Sequence, residues 1–210
     1  DEISGGSGDD YIEGGAGSDL ISGGSGSDQL FGGDGADVIS PGSGLNYVSG
    51  GSGEDIFTIT SLVVSSELIS QISDYEDGLD LIASYLPITA IKNYSDQTSL
   101  GAEEGVKIVF SDGRSFQIAG LEAASLTLDD FICFGENTSL SELNESRNLQ
   151  ADCDLDGDGF SNLTEVADGT NPLNRFSCST GCFSFDVDEN LEAQPLTDGL
   201  LVIRHLFGFS

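Results

Sequence analysis

A large apolar side chain returns every ninth residue along the opening stretch of the chain: Ile3, Ile12, Ile21, Leu30, Ile39, Val48 and Phe57. Each is the middle residue of a short xUx segment, where U is apolar, and each segment after the first follows a six-residue Gly-rich turn. Strand side chains alternate between faces with a period of two, so the central residue points one way and its neighbours the other. The pattern predicts three-residue strands wound into a coil, with the apolar column inside. The repeats read GGSGDDYIE (5–13), GGAGSDLIS (14–22), GGSGSDQLF (23–31), GGDGADVIS (32–40), PGSGLNYVS (41–49) and GGSGEDIFT (50–58), and Asp1–Ser4 is the end of a further one. A flexible Gly/Ser linker would have no reason to hold an apolar residue in register seven times.

The turn, GGxGxD, carries the chemistry. Glycine permits positive φ and close approach of backbone, so the turn can aim carbonyl oxygens inward. Calcium takes six to eight oxygens from carboxylates and backbone carbonyls, and stacked turns of this composition offer both kinds. The nonapeptides resemble the β-roll of the RTX family of secreted bacterial proteins, whose G-G-x-G-x-D-x-U-x unit is a known calcium-binding parallel β-helix repeat. The resemblance implies two nonapeptides per coil, with calcium bridging repeats i and i+2. Asp10, Asp28 and Asn46 would then share one edge, and Asp1, Asp19, Asp37 and Asp55 the other. The glycines Gly6, Gly8, Gly15, Gly17, Gly24, Gly26, Gly33 and Gly35 complete the candidate metal set of the roll. The fifth repeat departs at Pro41 and Asn46. Asn offers one neutral oxygen where Asp offers two charged ones, so sites touching Asn46 are expected to be weaker.

After Phe57 the glycine period stops. SELISQISDYEDGLDLIASYLP (66–87) resembles the segment that follows the repeats in RTX domains, and that resemblance implies a cap with Asp74, Asp77 and Asp80 on its acidic positions and Asp80 as a further candidate ligand. Ile69, Ile72, Leu79, Leu81 and Ile82 are expected to cover the apolar column. Alternating β-formers on either side of a Ser-Asp-Gly turn at 111–113 read as a hairpin. LTLDDFICF (126–134) resembles the last strand of the cap.

Residues 135–150 are polar and read as a linker or a short helix. DLDGDGFSNLTE (154–165) then fits the twelve-residue EF-hand loop without a gap. Asp154, Asp156 and Asp158 take positions one, three and five, Gly159 the turn, Phe160 the carbonyl position, Asn162 position nine and Glu165 the closing acid. The string continuing to Pro172 resembles the loop-helix repeats of thrombospondin type 3. A second copy, resembling a dockerin-type loop and helix, is expected at 185–208 with Asp186, Asp188 and Asn190 in the loop. Leu191 stands there where the turn wants glycine, and the closing acid, Asp198, comes one residue late.

The expected fold is therefore mainly β: a parallel β-roll (in the family's terms a right-handed calcium-binding β-helix) with a β cap, followed by a small α calcium-loop module. The expected boundaries are 1–60 for the roll, 61–134 for the cap, 135–150 for the linker and 151–210 for a paired EF-hand-like or dockerin-like module. Cys133, Cys153, Cys178 and Cys182 surround that module; an even count in an exported protein favours disulfides, and four cysteines allow three pairings. A Cys178–Cys182 bridge would leave Cys133–Cys153 to tie the module to the roll.

Composition sharpens the functional reading. Of 210 residues 37 are acidic and 6 basic, a net charge of −31, and no Lys or Arg precedes Lys92. Nucleic acid needs the opposite field, and anionic lipid is disfavoured equally. Two carboxylates about 4 Å apart repel by ~1 kcal/mol in water and ~4 at an effective dielectric near 20, so the metal-free coil is expected to stay open and to fold as calcium binds. No apolar run reaches the ~18 residues of a membrane span. His205, the single histidine, lies beside Arg204 at a helix end rather than in a catalytic group. The chain opens at the sixth position of a repeat, which points to a piece of a longer protein. The reading is a non-catalytic, calcium-dependent structural module of a secreted or cell-surface bacterial protein, exported by type I secretion as the family resemblance implies. Its rivals are the C-terminal folding module of an RTX-type hydrolase or epimerase, and a dockerin-like docking or self-stacking module using the N-terminal roll edge or the C-terminal helix.

Overall fold

The computed structural model describes residues 1–59, 69–98, 101–134, 138–145 and 153–174. Each repeat contributes one strand: β1 (Glu2–Ser7), β2 (Tyr11–Ala16), β3 (Leu20–Ser25), β4 (Gln29–Asp34), β5 (Val38–Ser40), β6 (Asn46–Ser52) and β7 (Ile56–Ile59). Odd and even strands alternate between two sheets. Within each sheet neighbours run parallel and pair residues one full coil apart, as in Ile3↔Ile21, Ile21↔Ile39 and Ile12↔Leu30. β1 to β4 are six residues long, longer than the three-residue strands the pattern predicts. Pairing continues through the leading glycines of the next repeat, as in Gly6↔Gly24 and Gly15↔Gly33.

The period-nine column is the core. Ile21, Leu30, Ile39, Val48 and Phe57 are completely buried, each contributing about 1.5–3 kcal/mol relative to exposure. The column continues into the cap strands β8 (Ile69–Ile72) and β9 (Leu81–Ser84), where Val48 pairs with Ile72 and Phe57 with Ile82. Leu79 and Leu81 depart from the expected cover. Leu79 is exposed, and Leu81 lies on the other face of its strand, against Val38 and Ile56.

The cap extends both sheets rather than lying across the end. β10 (Ile88–Thr98), β11 (Gly101–Phe110) and β12 (Ser115–Ala119) form an antiparallel meander whose last strand joins β8 in parallel, and β13 (Phe131–Cys133) joins β9. The hairpin read around the turn at 111–113 is β11–β12. Phe110 and Phe116 meet edge-on at 5.7 Å within it, and β10 is an additional long strand on its free side.

The stretch read as a linker or a short helix contains α1 (Leu140–Glu145). Leu143 is buried in a second apolar cluster with Val38, Ile56, Ala83, Ile132 and Phe134. Val38, Ile56, Ala83 and Ile132 belong to the outer face of the odd-strand sheet, where Glu2, Leu20, Val38, Ile56 and Leu81 lie in register. The even-strand sheet carries instead the half-exposed aromatic row Tyr11, Phe31 and Tyr47, with ring centroids 5.4 and 5.9 Å apart. An apolar outer stripe on one sheet and not the other marks where the helix docks.

Candidate metal centres

The two Asp edges form by stacking. On one edge Asp10 N–H donates to Asp28 Oδ1 at 2.9 Å, and Asp28 N–H to Asn46 Oδ1 at 2.9 Å. On the other edge the Asp1 amine donates to Asp19 Oδ1 at 2.6 Å, Asp19 N–H to Asp37 Oδ1 at 2.8 Å, and Asp37 N–H to Asp55 Oδ1 at 2.9 Å. One carboxylate oxygen of each inner Asp is thus committed to holding the previous coil. The other oxygen has a different fate. Oδ2 of Asp10, Asp19, Asp28 and Asp55 is buried without a hydrogen-bond partner. A buried, unpaired carboxylate oxygen costs several kcal/mol unless a cation or a proton meets it.

What borders those oxygens fits a hard cation. The first residue of the turn is glycine in five of the six repeats, yet its φ is not positive, so conformational freedom does not explain it. Space does. A methyl group on Gly14 would stand 2.6 Å from the Gly32 carbonyl oxygen and 2.7 Å from Asp19 Oδ2. On Gly23 it would stand 2.5 Å from the Pro41 carbonyl oxygen and 2.6 Å from Asp28 Oδ2. Each nook thus joins a carboxylate oxygen of one coil to a carbonyl oxygen of the next, the donor set calcium prefers.

The carbonyls of Gly23, Gly32, Pro41 and Gly50 belong to these nooks and were absent from the sequence-derived set, which took the glycines at the second and fourth positions of the turn. Gly24 and Gly26 of that set have φ of 102° and 138°, and side chains there would strike the Gly6 and Gly8 carbonyls at 2.2 and 2.1 Å. The Gly24 carbonyl accepts Ser43 N–H at 2.8 Å, so part of its capacity holds the ladder together. Gly15, Gly17, Gly33 and Gly35 make the corresponding turns on the other edge, all with positive φ.

Asp80 ends the ladder. Its Oδ1 accepts Asp55 N–H at 3.0 Å and its Oδ2 accepts Glu76 N–H at 2.8 Å, so both its oxygens hold backbone, unlike those of Asp10, Asp19, Asp28 and Asp55. Asp74 likewise accepts Gly50 N–H and Gly51 N–H at 3.0 Å. Burial, with the charges of Asp80, Asp37 and Asp74 added, raises Asp55 to about 7. Burial also raises Asp28, reinforced by Asp10 and Asp9, and Asp80, reinforced by Asp74 and Glu76. These carboxyls are poised to take up a positive charge.

The second candidate centre is local. Asp154 Oδ1 accepts Gly157 N–H at 2.7 Å and its Oδ2 accepts Gly159 N–H at 2.9 Å, folding the loop onto its first residue. Ligand oxygens of Asp154, Asp156 and Asp158 come within 4.8 Å of one another. Asp156 Oδ2 and Glu165 Oε2 are buried without a partner. Burial, then the charges of Glu165 and Asp158, raises Asp156 to about 8, and burial with Asp158 and Asp154 raises Glu165 to about 7. Ser161 caps α2 (Asn162–Asp168) by accepting Thr164 N–H, and Gly169 ends it in the left-handed region. Phe160 is exposed at its loop position, and its N–H donates to Asp158 Oδ1 at 2.9 Å. Asn162 does structural work at position nine: its Oδ1 accepts Leu155 N–H at 3.0 Å and its Nδ2 lies 3.6 Å from Cys153 Sγ.

The loop is fastened to the cap. Leu155 is buried in the main core and its carbonyl accepts Ile88 N–H. Cys133 and Cys153 form a disulfide between β13 and the residue preceding the loop. Asp186, Asp188, Asn190, Asp198, Cys178, Cys182 and His205 lie outside the described residues.

The repeats and the loop match known families. Residues 1–30 and 22–57 match the RTX calcium-binding nonapeptide repeat (4 copies). Residues 154–175 match the bacterial TSP3 repeat. Among solved structures, the chain is similar to the solution structure of the AlgE6R3 subunit from the Azotobacter vinelandii mannuronan C5-epimerase, with 28% identity, a TM-score of 0.47, and coverage of 61% of this chain and 80% of that one. No curated protein matches. Among the described residues no helix is long and apolar enough to cross a membrane.

Proposed function

We propose that the chain is a non-catalytic structural module of a secreted or surface-displayed bacterial protein, and that its roll folds as calcium binds outside the cell. The observation that supports this most is the set of buried Oδ2 atoms at Asp10, Asp19, Asp28 and Asp55, each beside a glycine nook. Bound calcium would supply the positive charge that these oxygens lack, and the oxygens would form part of its coordination shell. The residues do the rest: each inner Asp holds the preceding coil through Oδ1 and presents Oδ2, and the turn carbonyls complete the donor set. Asp154, Asp156, Asp158 and Glu165 form a separate site that would order the loop against the cap. The second loop around Asp186, Asp188, Asn190 and Asp198 would make the C-terminal module a pair.

Extracellular calcium modules bind at roughly 10⁻⁴–10⁻³ M, far above cytosolic calcium, so the roll would be open inside the cell and closed outside. Titrating the chelated chain with calcium should bring up β-structure cooperatively in that range by circular dichroism. Equal β-structure in excess chelator and in millimolar calcium would refute the proposal.

A further inference from the structure

The fifth repeat is the one whose turn lacks both the leading glycine and the closing aspartate, and the structure explains the two departures together. Asn46 occupies its place in the ladder through Oδ1, which accepts Asp28 N–H at 2.9 Å. A backbone N–H can bond only to the oxygen of the amide, so this contact sets the orientation of the side chain. Nδ2 therefore stands where Asp10, Asp19, Asp28 and Asp55 present Oδ2. It is not an orphan. It donates to the Pro41 carbonyl at 3.2 Å and to Ser70 Oγ at 3.4 Å, and Asn46 is buried at 4% exposure.

Position 41 closes the same space from the other side. In the Asp repeats, a Cβ on the first glycine would stand 2.2–2.7 Å from the Asp Oδ2 of its own turn. Proline carries that Cβ and a ring beyond it. The nook that glycine leaves open next to a carboxylate is thus filled at Pro41, and the group facing it is a donor rather than an acceptor.

We infer that the Pro41–Asn46 pair replaces a calcium ion. The amide hydrogens of Asn46 do for the fifth turn what a cation would do for the others, binding the turn's own carbonyl and the neighbouring Ser70 without metal. The inference rests on the calcium-dependent folding proposed above and deepens it, because it assigns different metal content to the two edges. The Asp19–Asp37–Asp55 edge keeps carboxylates up to Asp80. The Asp10–Asp28 edge ends its metal column at Asn46 and passes to the cap through direct hydrogen bonds. A turn that closes without metal beside the cap would also hold the last coil in register before calcium arrives.

Native mass spectrometry of the full chain in calcium tests this by counting ions. The double variant Pro41→Gly/Asn46→Asp restores the glycine nook and the second carboxylate oxygen. It should carry one more calcium ion per chain than the wild type, and it should need more calcium to reach full β-structure. The converse variant, Asp19→Asn, puts an amide where a carboxylate faces the Gly32 carbonyl, and should carry one ion fewer. If the double variant folds and its ion count equals that of the wild type, the inference is overturned. Should the double variant not fold, Asp19→Asn decides the matter, and an unchanged count there overturns the inference equally. A wild-type chain that takes up no calcium at millimolar concentration would instead overturn the proposed function itself.

Discussion

The roll turns and the 154–165 loop are both made of Asp and Gly, yet they assemble their carboxylates by opposite routes. In the roll, Asp28 is oriented by the N–H of Asp10, a full coil away in sequence. In the loop, Asp154 is oriented by the N–H groups of Gly157, Asp158 and Gly159, a few residues on. A candidate roll site is therefore assembled only when two coils are stacked, whereas the candidate loop site is assembled within one segment. Metal binding to the roll should be cooperative along the stack, and binding to the loop should be a local event. The loop nevertheless reports on the roll, because Leu155 sits in the roll's core and Cys153 is bonded to β13.

The most damaging way to probe this contrast is Asp28→Ala. It removes the acceptor for Asp10 N–H and the Oδ2 that faces the Pro41 carbonyl, so it touches two coils at once. The calcium midpoint for β-structure should rise by about tenfold, equivalent to ~1.4 kcal/mol, and the transition should broaden. A midpoint within error of the wild type would mean that the stacked turns act independently.

Acidity should act on both regions in the same sense. Asp55 and Glu165 are raised to about 7 and Asp156 to about 8 in the folded chain, against about 4 for unfolded carboxyls. Between those values the folded state holds more protons than the unfolded one, so metal-free stability falls as pH rises. Without calcium, the chain should keep more β-structure at pH 5 than at pH 8. With calcium the direction reverses, since metal and protons compete for the same oxygens, and the calcium midpoint should be lower at pH 8 than at pH 6. Metal-free stability that rises across this range would show that these carboxyls are not desolvated.

The smallest effect should come from Glu165→Gln. It removes one charge from the closing position of the loop and leaves every roll turn intact. One calcium ion should be lost per chain, with the cooperative β transition unchanged. A shift of that transition by about tenfold or more, ~1.4 kcal/mol, would show that the loop and the roll bind as one unit, the Leu155 contact being the route between them.

How much of this could be read from the residues varies from place to place. The apolar column from Ile3 to Phe57 and its continuation at Ile72 and Ile82 follow from periodicity, because a strand with one buried face must repeat its apolar residue in register. The donor types of the 154–165 loop follow from spacing within twelve residues. By contrast, the nook carbonyls of Gly23, Gly32, Pro41 and Gly50 do not follow from glycine's tolerance of positive φ, which is used at the second and fourth positions of the turn. Their neighbouring glycines are needed for space that only a second coil creates. Asn162 reads by spacing as the position-nine residue; that its Oδ1 accepts Leu155 N–H and its Nδ2 lies 3.6 Å from Cys153 Sγ is seen only in the fold.

The repeat, the inward column, the acid at each turn and the match of 154–165 to a calcium loop are local patterns and can be read along the chain. Packing of coil on coil sets which oxygen of each inner Asp is committed and which is left over, where α1 covers the odd-strand sheet at Val38 and Ile56, and how Asp80 closes the ladder. The same packing turns a donor of Asn46 toward Pro41. Those outcomes depend on what the next coil brings within hydrogen-bonding distance, and local spacing along a chain carries no record of that distance.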